Sequence, residues 1–201
     1  MIDALFGSKT RVKLLHLFLN HPGQSFYVRE ITRVIDEQIN SVRRELANML
    51  EVGVITSDSA DNKLYYQVNQ RYEYYLALRA IFANEKLDAK KQTSAEDKPN
   101  EQYVEVLKDI SSSLRLAVVA GVLVRGSSSP LDILLVGSVP AQKVKNAMQM
   151  IEKLEGRELN YSVLSYDEFY YRLSIRDKFI MQVINGKHSV IIDKDNTLSQ
   201  S

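Results

Sequence analysis

The chain has 201 residues, a formal net charge of +1 and no cysteine, which is enough length for two modest domains. The missing thiols exclude disulfides, cysteine-type zinc sites and thiol redox sensing, and no apolar run reaches transmembrane length. Residues 1–84 hold ten Lys and Arg against nine Asp and Glu, so no broad basic field draws in nucleic acid and any such contact rests on local placement.

The opening stretch MIDALFGSKTRVKLLHLFL is broken by Lys9, Arg11 and Lys13, unlike the core of a signal peptide, and a soluble cytoplasmic protein without a membrane partner is expected. Ser8 stands where an N-cap belongs, and Val12, Leu14, Leu15, Phe18 and Leu19 form the apolar stripe of a first helix over residues 8–19. The run Asn20-His21-Pro22-Gly23 stops that helix. Ser25, Phe26 and Tyr27 suit a short strand.

Residues 24–70 carry the densest pattern. Val28, Ile31, Val34 and Ile35 recur at helical spacing, and a break follows at Asp36, Glu37 and Gln38. The period resumes with Ile39, Val42, Leu46, Met49 and Leu50, which leaves Asn40, Ser41, Arg43, Arg44 and Asn48 on the other face. Gly53 ends this helix. Val54-Ile55 and residues 64–68 read as strands around a turn-rich loop over residues 57–63. Helix, turn, helix and hairpin in this order predict a winged helix-turn-helix that reads duplex DNA. A recognition helix needs one apolar side for docking and short polar or basic groups near its start for the major groove. Asn40, Ser41 and Arg44 are the candidates for base edges. Arg43, Asn62 and Lys63 are candidates for phosphate, with Gln38, Tyr27 and Arg29 as secondary contacts. A helical hairpin with a solvated arginine face is the plainer alternative.

Residues 71–84 predict a helix apolar over much of its girth, which calls for a second packing partner or a homodimer interface. Residues 85–100 are charged, polar and aperiodic, as in a linker. Beyond them helices are expected over residues 103–114, 141–154, 166–175 and 179–184. Strands are expected over 116–120, 131–136, 159–164 and 188–192. This alternation predicts an α/β domain with a small mixed sheet over residues 101–193, followed by a frayed polar tail over 194–201. His16, His21 and His188 have no metal-ligand spacing, so neither a metal site nor a cofactor is expected.

The stretch GVLVRGSSSPLDILLVG at residues 121–137 resembles the minimal nucleotidyltransferase domain, in which a Gly-Ser turn is followed by an Asp-x-Asp on the next strand. With residues 8–84, the whole chain resembles prokaryotic winged-helix transcriptional regulators that carry a C-terminal nucleotidyltransferase-like domain. That resemblance implies two carboxylates on one strand face holding divalent metal against a triphosphate. Here Asp132 stands at the second position, Pro130 at the first, Val122 where the serine belongs, and Asn160 where a third carboxylate is expected. A catalytically inactive domain follows, serving dimerisation or sensing. Gly121, Arg125, Gly126 and Ser127, with Asp132, could survive as a vestigial nucleotide pocket, or as a plain loop between strands.

The expected protein is thus an α+β or α/β two-domain DNA-binding regulator, a homodimer with a possible nucleotide or small-molecule effector. Two rivals stand beside it: a metal-dependent nucleotidyltransferase, and an antitoxin-type module whose winged helix touches protein.

Overall fold

The computed structural model describes residues 5–60, 62–83 and 99–198. The chain divides into two compact units, Met1–Thr93 and Ser94–Ser201, and each mixes helices with one small sheet.

The first unit runs α1 (Lys9–Asn20), β1 (Phe26–Tyr27), α2 (Val28–Ile35), α3 (Ile39–Val52), β2 (Ile55–Ala60), β3 (Lys63–Val68) and α4 (Tyr75–Phe82). Its three strands are antiparallel in the order β1-β3-β2. The Ser8 hydroxyl caps α1 by accepting from the Arg11 amide at 3.3 Å. Asp36 closes α2 in the left-handed region, at φ 50°, which a short polar residue tolerates better than most. Gly53 does the same for α3 at φ 85°. The core is built from Leu14, Phe18 and Leu19 of α1, Ile31 of α2, Val42 and Leu46 of α3, Ile55 and Val68 of the sheet, and Tyr75 and Phe82 of α4.

Two elements differ from expectation. The hairpin strand continues through residues 57–60 instead of dissolving into a loop, pairing Ser57 with Tyr66 and Ala60 with Lys63. Its turn residue Asn62 sits at φ 58°, the backbone a tight hairpin requires. The expected helix over 71–84 shrinks to Tyr75–Phe82. Asn69 is the reason: its side-chain oxygen accepts from the Arg71 amide at 3.0 Å and its carbonyl from the Tyr72 amide, so residues 69–72 form a turn. Within α4, Tyr75 and Phe82 are buried while Ile81 is 50% exposed, and Tyr74 just before the helix is 57% exposed.

The second unit runs α5 (Pro99–Ser111), β4 (Leu114–Val119), β5 (Ile133–Gly137), α6 (Ala141–Glu155), β6 (Tyr161–Leu164), α7 (Tyr166–Ser174), α8 (Lys178–Ile184) and β7 (Ser189–Asp193). Residues 85–98 of the expected linker lie outside the described residues. Pro99 and Asn100, assigned to that linker, open α5 instead; proline suits a first helical position because no intrahelical partner awaits its missing N–H. The sheet order is β6-β5-β4-β7, with β5 and β6 parallel and the other pairs antiparallel. Side chains alternate across it. Ala117, Val119, Ile133 and Leu135 pack with α5 and α6, whereas Leu116, Val118, Leu134 and Val136 pack with Phe169 of α7 and Ile180 of α8. Burial on both faces explains the apolar runs Leu116–Val119 of β4 and Ile133–Val136 of β5, with Arg115 exposed near the start of β4.

Leu131 and Asp132, expected in the strand, precede it. The tail is also better held than a polar composition suggests. The Asp193 carboxylate accepts from the amides of Thr197 and Leu198 at 2.9 and 3.0 Å, and Leu198 packs on the α7–α8 side of the core.

Candidate nucleic-acid interface and the Asp132 turn

Helix α3 is amphipathic in an informative way. Val42, Glu45, Leu46 and Met49 are buried, while Asn40, Arg43, Arg44 and Ala47 face solvent. Ser41 lies half-buried on the flank, so of the three expected base readers only Asn40 and Arg44 are exposed. Gln38 precedes the helix as an exposed N-cap residue without a side-chain cap bond. Arg29 is exposed in the first turn of α2.

The hairpin brings three other candidates together. Tyr27 stands opposite Tyr65 across β1 and β3, their ring centres 6.0 Å apart. The Lys63 ammonium sits 5.3 Å from the centre of the Tyr27 ring, a cation–π contact made by an exposed residue. Asn62 is exposed beside it. Burial pushes the Tyr66 hydroxyl pKa up, with the Arg43 charge opposing, so Arg43 lies on the hairpin side of α3.

What fixes α3 in place is a set of polar pins from α1. Lys13 Nζ pairs with Glu37 at 2.9 Å and donates to the Ile35 carbonyl at 2.9 Å, so one ammonium closes the end of α2 and holds the turn. The Thr10 hydroxyl donates to the other Glu37 oxygen at 3.3 Å. Arg11 Nε pairs with Glu45 at 3.0 Å, and Glu45 is only 3% exposed. Burial alone would raise the Glu45 pKa, but hydrogen bonds from Ser8 and Arg11 and the Arg11 charge outweigh it and hold the group below its ordinary 4.5. The Lys13 hydrogen bond likewise lowers Glu37. Carboxylates depressed in the folded state stabilise it fully above 4.5, and that contribution disappears as pH falls through their folded values. Thermal midpoints followed from pH 7 to 3 are therefore expected to drop below about pH 4.5, and Glu45→Gln is expected to start lower but decline less steeply. Equal slopes for the two proteins would remove Glu45 from this account.

In the second unit, the positions singled out by the 121–137 pattern are bonded to one another. Asp132 is 0% exposed. Its Oδ1 accepts from the Val122 amide at 2.9 Å and its Oδ2 from the Asn160 amide at 2.8 Å. Its own amide donates to the Asn160 carbonyl, and its carbonyl accepts from Ala120, both at 2.8 Å. The Asn160 side chain donates to the Pro130 carbonyl at 3.0 Å. Gly121 turns at φ 51°, and a Cβ there would collide with Asp132 Oδ1 and come within 2.8 Å of the Leu131 carbonyl. The Gly121 amide donates to Ser127 Oγ at 3.0 Å, so the two amides that open this loop both point at the protein's own oxygens. Arg125 and Gly126 lie exposed.

No protein-family model, curated protein or solved structure matches the chain. Among the described residues no three of His, Cys, Asp and Glu gather where they could hold a metal ion. Each histidine has Nδ1 within 2.9 Å of a backbone carbonyl: His16 with Phe82, His21 with Leu17, His188 with Gly186.

Sequence reasoning missed the α1 pins. Thirty-four residues separate Arg11 from Glu45, and no local pattern predicts such a pair. One signal was available: Glu45 falls on the apolar stripe between Val42 and Leu46, and a charge at a core position implies a partner brought to it.

Proposed function

We propose that residues 5–83 form a winged helix-turn-helix that reads duplex DNA, with α3 as recognition helix and the β2–β3 hairpin as wing. The observation that carries this reading is the solvent face of α3. Asn40, Arg43 and Arg44 project from its first two turns, while the opposite side is buried and anchored to α1 by Arg11–Glu45. A rigidly docked helix presenting compact polar and guanidinium groups near its start is what base-edge recognition requires. Arg43, Asn62, Lys63 and Tyr27 flank it as phosphate contacts, with Gln38 and Arg29 at the periphery.

The second unit is read as a nucleotidyltransferase-like domain without activity. Its surviving carboxylate, Asp132, spends both oxygens on backbone amides, and a metal would have to displace them. The regulator acts as a homodimer in the cytoplasm, binding paired half-sites.

The test is selection from a genomic DNA library at stepped salt, with sequencing of the retained fragments. A repeated or palindromic motif lost on Arg44→Ala supports the reading. No enrichment at low salt overturns it and favours a protein-binding winged helix. Lys63→Ala is expected to weaken every sequence alike and to flatten the plot of log affinity against log salt by about one unit. A change confined to one sequence would instead make Lys63 a base reader.

A further inference from the structure

Beyond the DNA reading, and using none of its residues, the second unit offers a second site. At the end of its sheet away from Asp132, a cavity of about 280 Å³ opens among Ser113, Arg115, Gly137, Ser138, Ser165 and Tyr166. The topology explains why it is there. β5 and β6 are parallel neighbours, yet the chain leaves them toward opposite faces. After Gly137 it enters α6, which packs with Leu135; after Leu164 it enters α7, whose Phe169 packs with Leu134 and Val136. Loops that part in this way leave a crevice beyond the carboxyl ends of the strands, the position where open α/β sheets receive ligands.

The lining has a definite chemistry. The Arg115 guanidinium lies 5.2 Å from the centre of the Tyr166 ring, and its Nη1 donates to Asp195 at 3.2 Å. Among the described residues Nε and Nη2 of Arg115 make no hydrogen bond, and neither do the hydroxyls of Ser113 and Ser138. The start of α7 adds little attraction, because Asp167 and Glu168 occupy its first turn. Guanidinium and hydroxyl donors carry the recognition.

We propose that this crevice binds a small phosphate ester. The open guanidinium edge pairs with phosphate oxygens, and three terminal oxygens match a guanidinium with flanking hydroxyls better than the two of a carboxylate do. The Tyr166 ring borders the carbon portion. At about 280 Å³ the cavity falls below the roughly 300–1,000 Å³ of drug-sized sites, which selects an ester of sugar-phosphate size over a dinucleotide.

The full ¹⁵N-labelled chain is titrated with ribose 5-phosphate, inorganic phosphate and ribose. Ribose 5-phosphate is expected to shift the Gly137, Ser138 and Tyr166 amides saturably, and ribose to shift none. Arg115→Gln is expected to weaken binding at least tenfold with the rest of the spectrum unchanged. Ser138→Asp is expected to do the same by placing a negative charge in the crevice. The proposal fails if millimolar ester shifts nothing, if shifts fall at Gly121, Val122 and Asp132 instead, or if both variants bind normally. Inorganic phosphate binding as tightly as the ester would also overturn it, leaving an adventitious anion site. Failure of DNA binding leaves all of these outcomes readable, since the titration contains no DNA.

Discussion

Replacing Asp132 by alanine is expected to lower the stability of the second unit by about 3 kcal/mol, read from denaturant unfolding of the full chain by far-UV circular dichroism. The carboxylate is 0% exposed and accepts two backbone amides. Hydrogen bonds to a charged group contribute about 1.5–3 kcal/mol each, and both donors lose their partner at once. The same side chain joins three segments, since Val122 lies in the turn after β4 and Asn160 leads into β6. Asp132→Asn keeps the shape but turns an NH₂ toward one of the two donors, so it is expected to lose most of the same stability. This separates two accounts of one residue. A structural acceptor shows its loss in unfolding, whereas a metal ligand shows it in labelled-nucleotide incorporation with little change in folding. Unchanged unfolding accompanied by lost incorporation would restore the enzyme reading.

Gly121 is tied to the same carboxylate. In the nucleotide-binding pattern expected from the sequence, this turn would bring backbone close to a phosphate. Here it brings backbone close to Asp132, and the space a Cβ would need is taken by that carboxylate and the Leu131 carbonyl. A glycine kept for close approach is legible in sequence; the identity of what approaches is not, because it depends on which strand the turn faces.

The same division runs through the fold. Elements with strong period or clear punctuation were readable. The α1 stripe behind Ser8, the break before Ile39, and Gly53 after α3 all follow from local chemistry. Misjudged positions were those where a side chain intercepts backbone. Asn69 shortened α4 by forming a turn, and Asp193 tied down Thr197 and Leu198. Ser57 to Ala60 looked like loop because Ser, Asp and Ser favour turns locally, and pairing with β3 overrode that preference. At the candidate interface, helical period assigned Asn40, Arg43 and Arg44 to the exposed face, but it also put Ser41 and Asn48 there, and both lie half-buried on the flanks. The Arg11–Glu45 and Lys13–Glu37 pins were invisible because they join residues that only tertiary packing brings together. The Arg115 crevice was missed for a similar reason: Ser113, Gly137 and Ser165 meet only after β5 and β6 pair in parallel.

Removing both guanidinium groups from α3 is expected to have the largest effect on DNA. Arg43→Ala with Arg44→Ala should weaken the selected site by about 2–4 kcal/mol, roughly thirtyfold to a thousandfold at fixed salt. The two contributions differ in kind and can be separated. Arg44 lies exposed in line with Asn40, where on the proposed reading a guanidinium would meet a guanine edge, and its loss should relax discrimination at one base position. Arg43 lies on the hairpin side, close enough for its charge to act on Tyr66, and its loss should reduce affinity on all sequences and lower the salt slope. Both side chains are exposed and outside the core, so the double variant should unfold at the wild-type denaturant concentration. A loss of DNA affinity accompanied by a loss of stability would mean that α3 had moved, and the arginines would then be docking groups, not readers. Wild-type affinity in the double variant would remove α3 from the interface altogether and leave the solvent face of the helix for a protein partner.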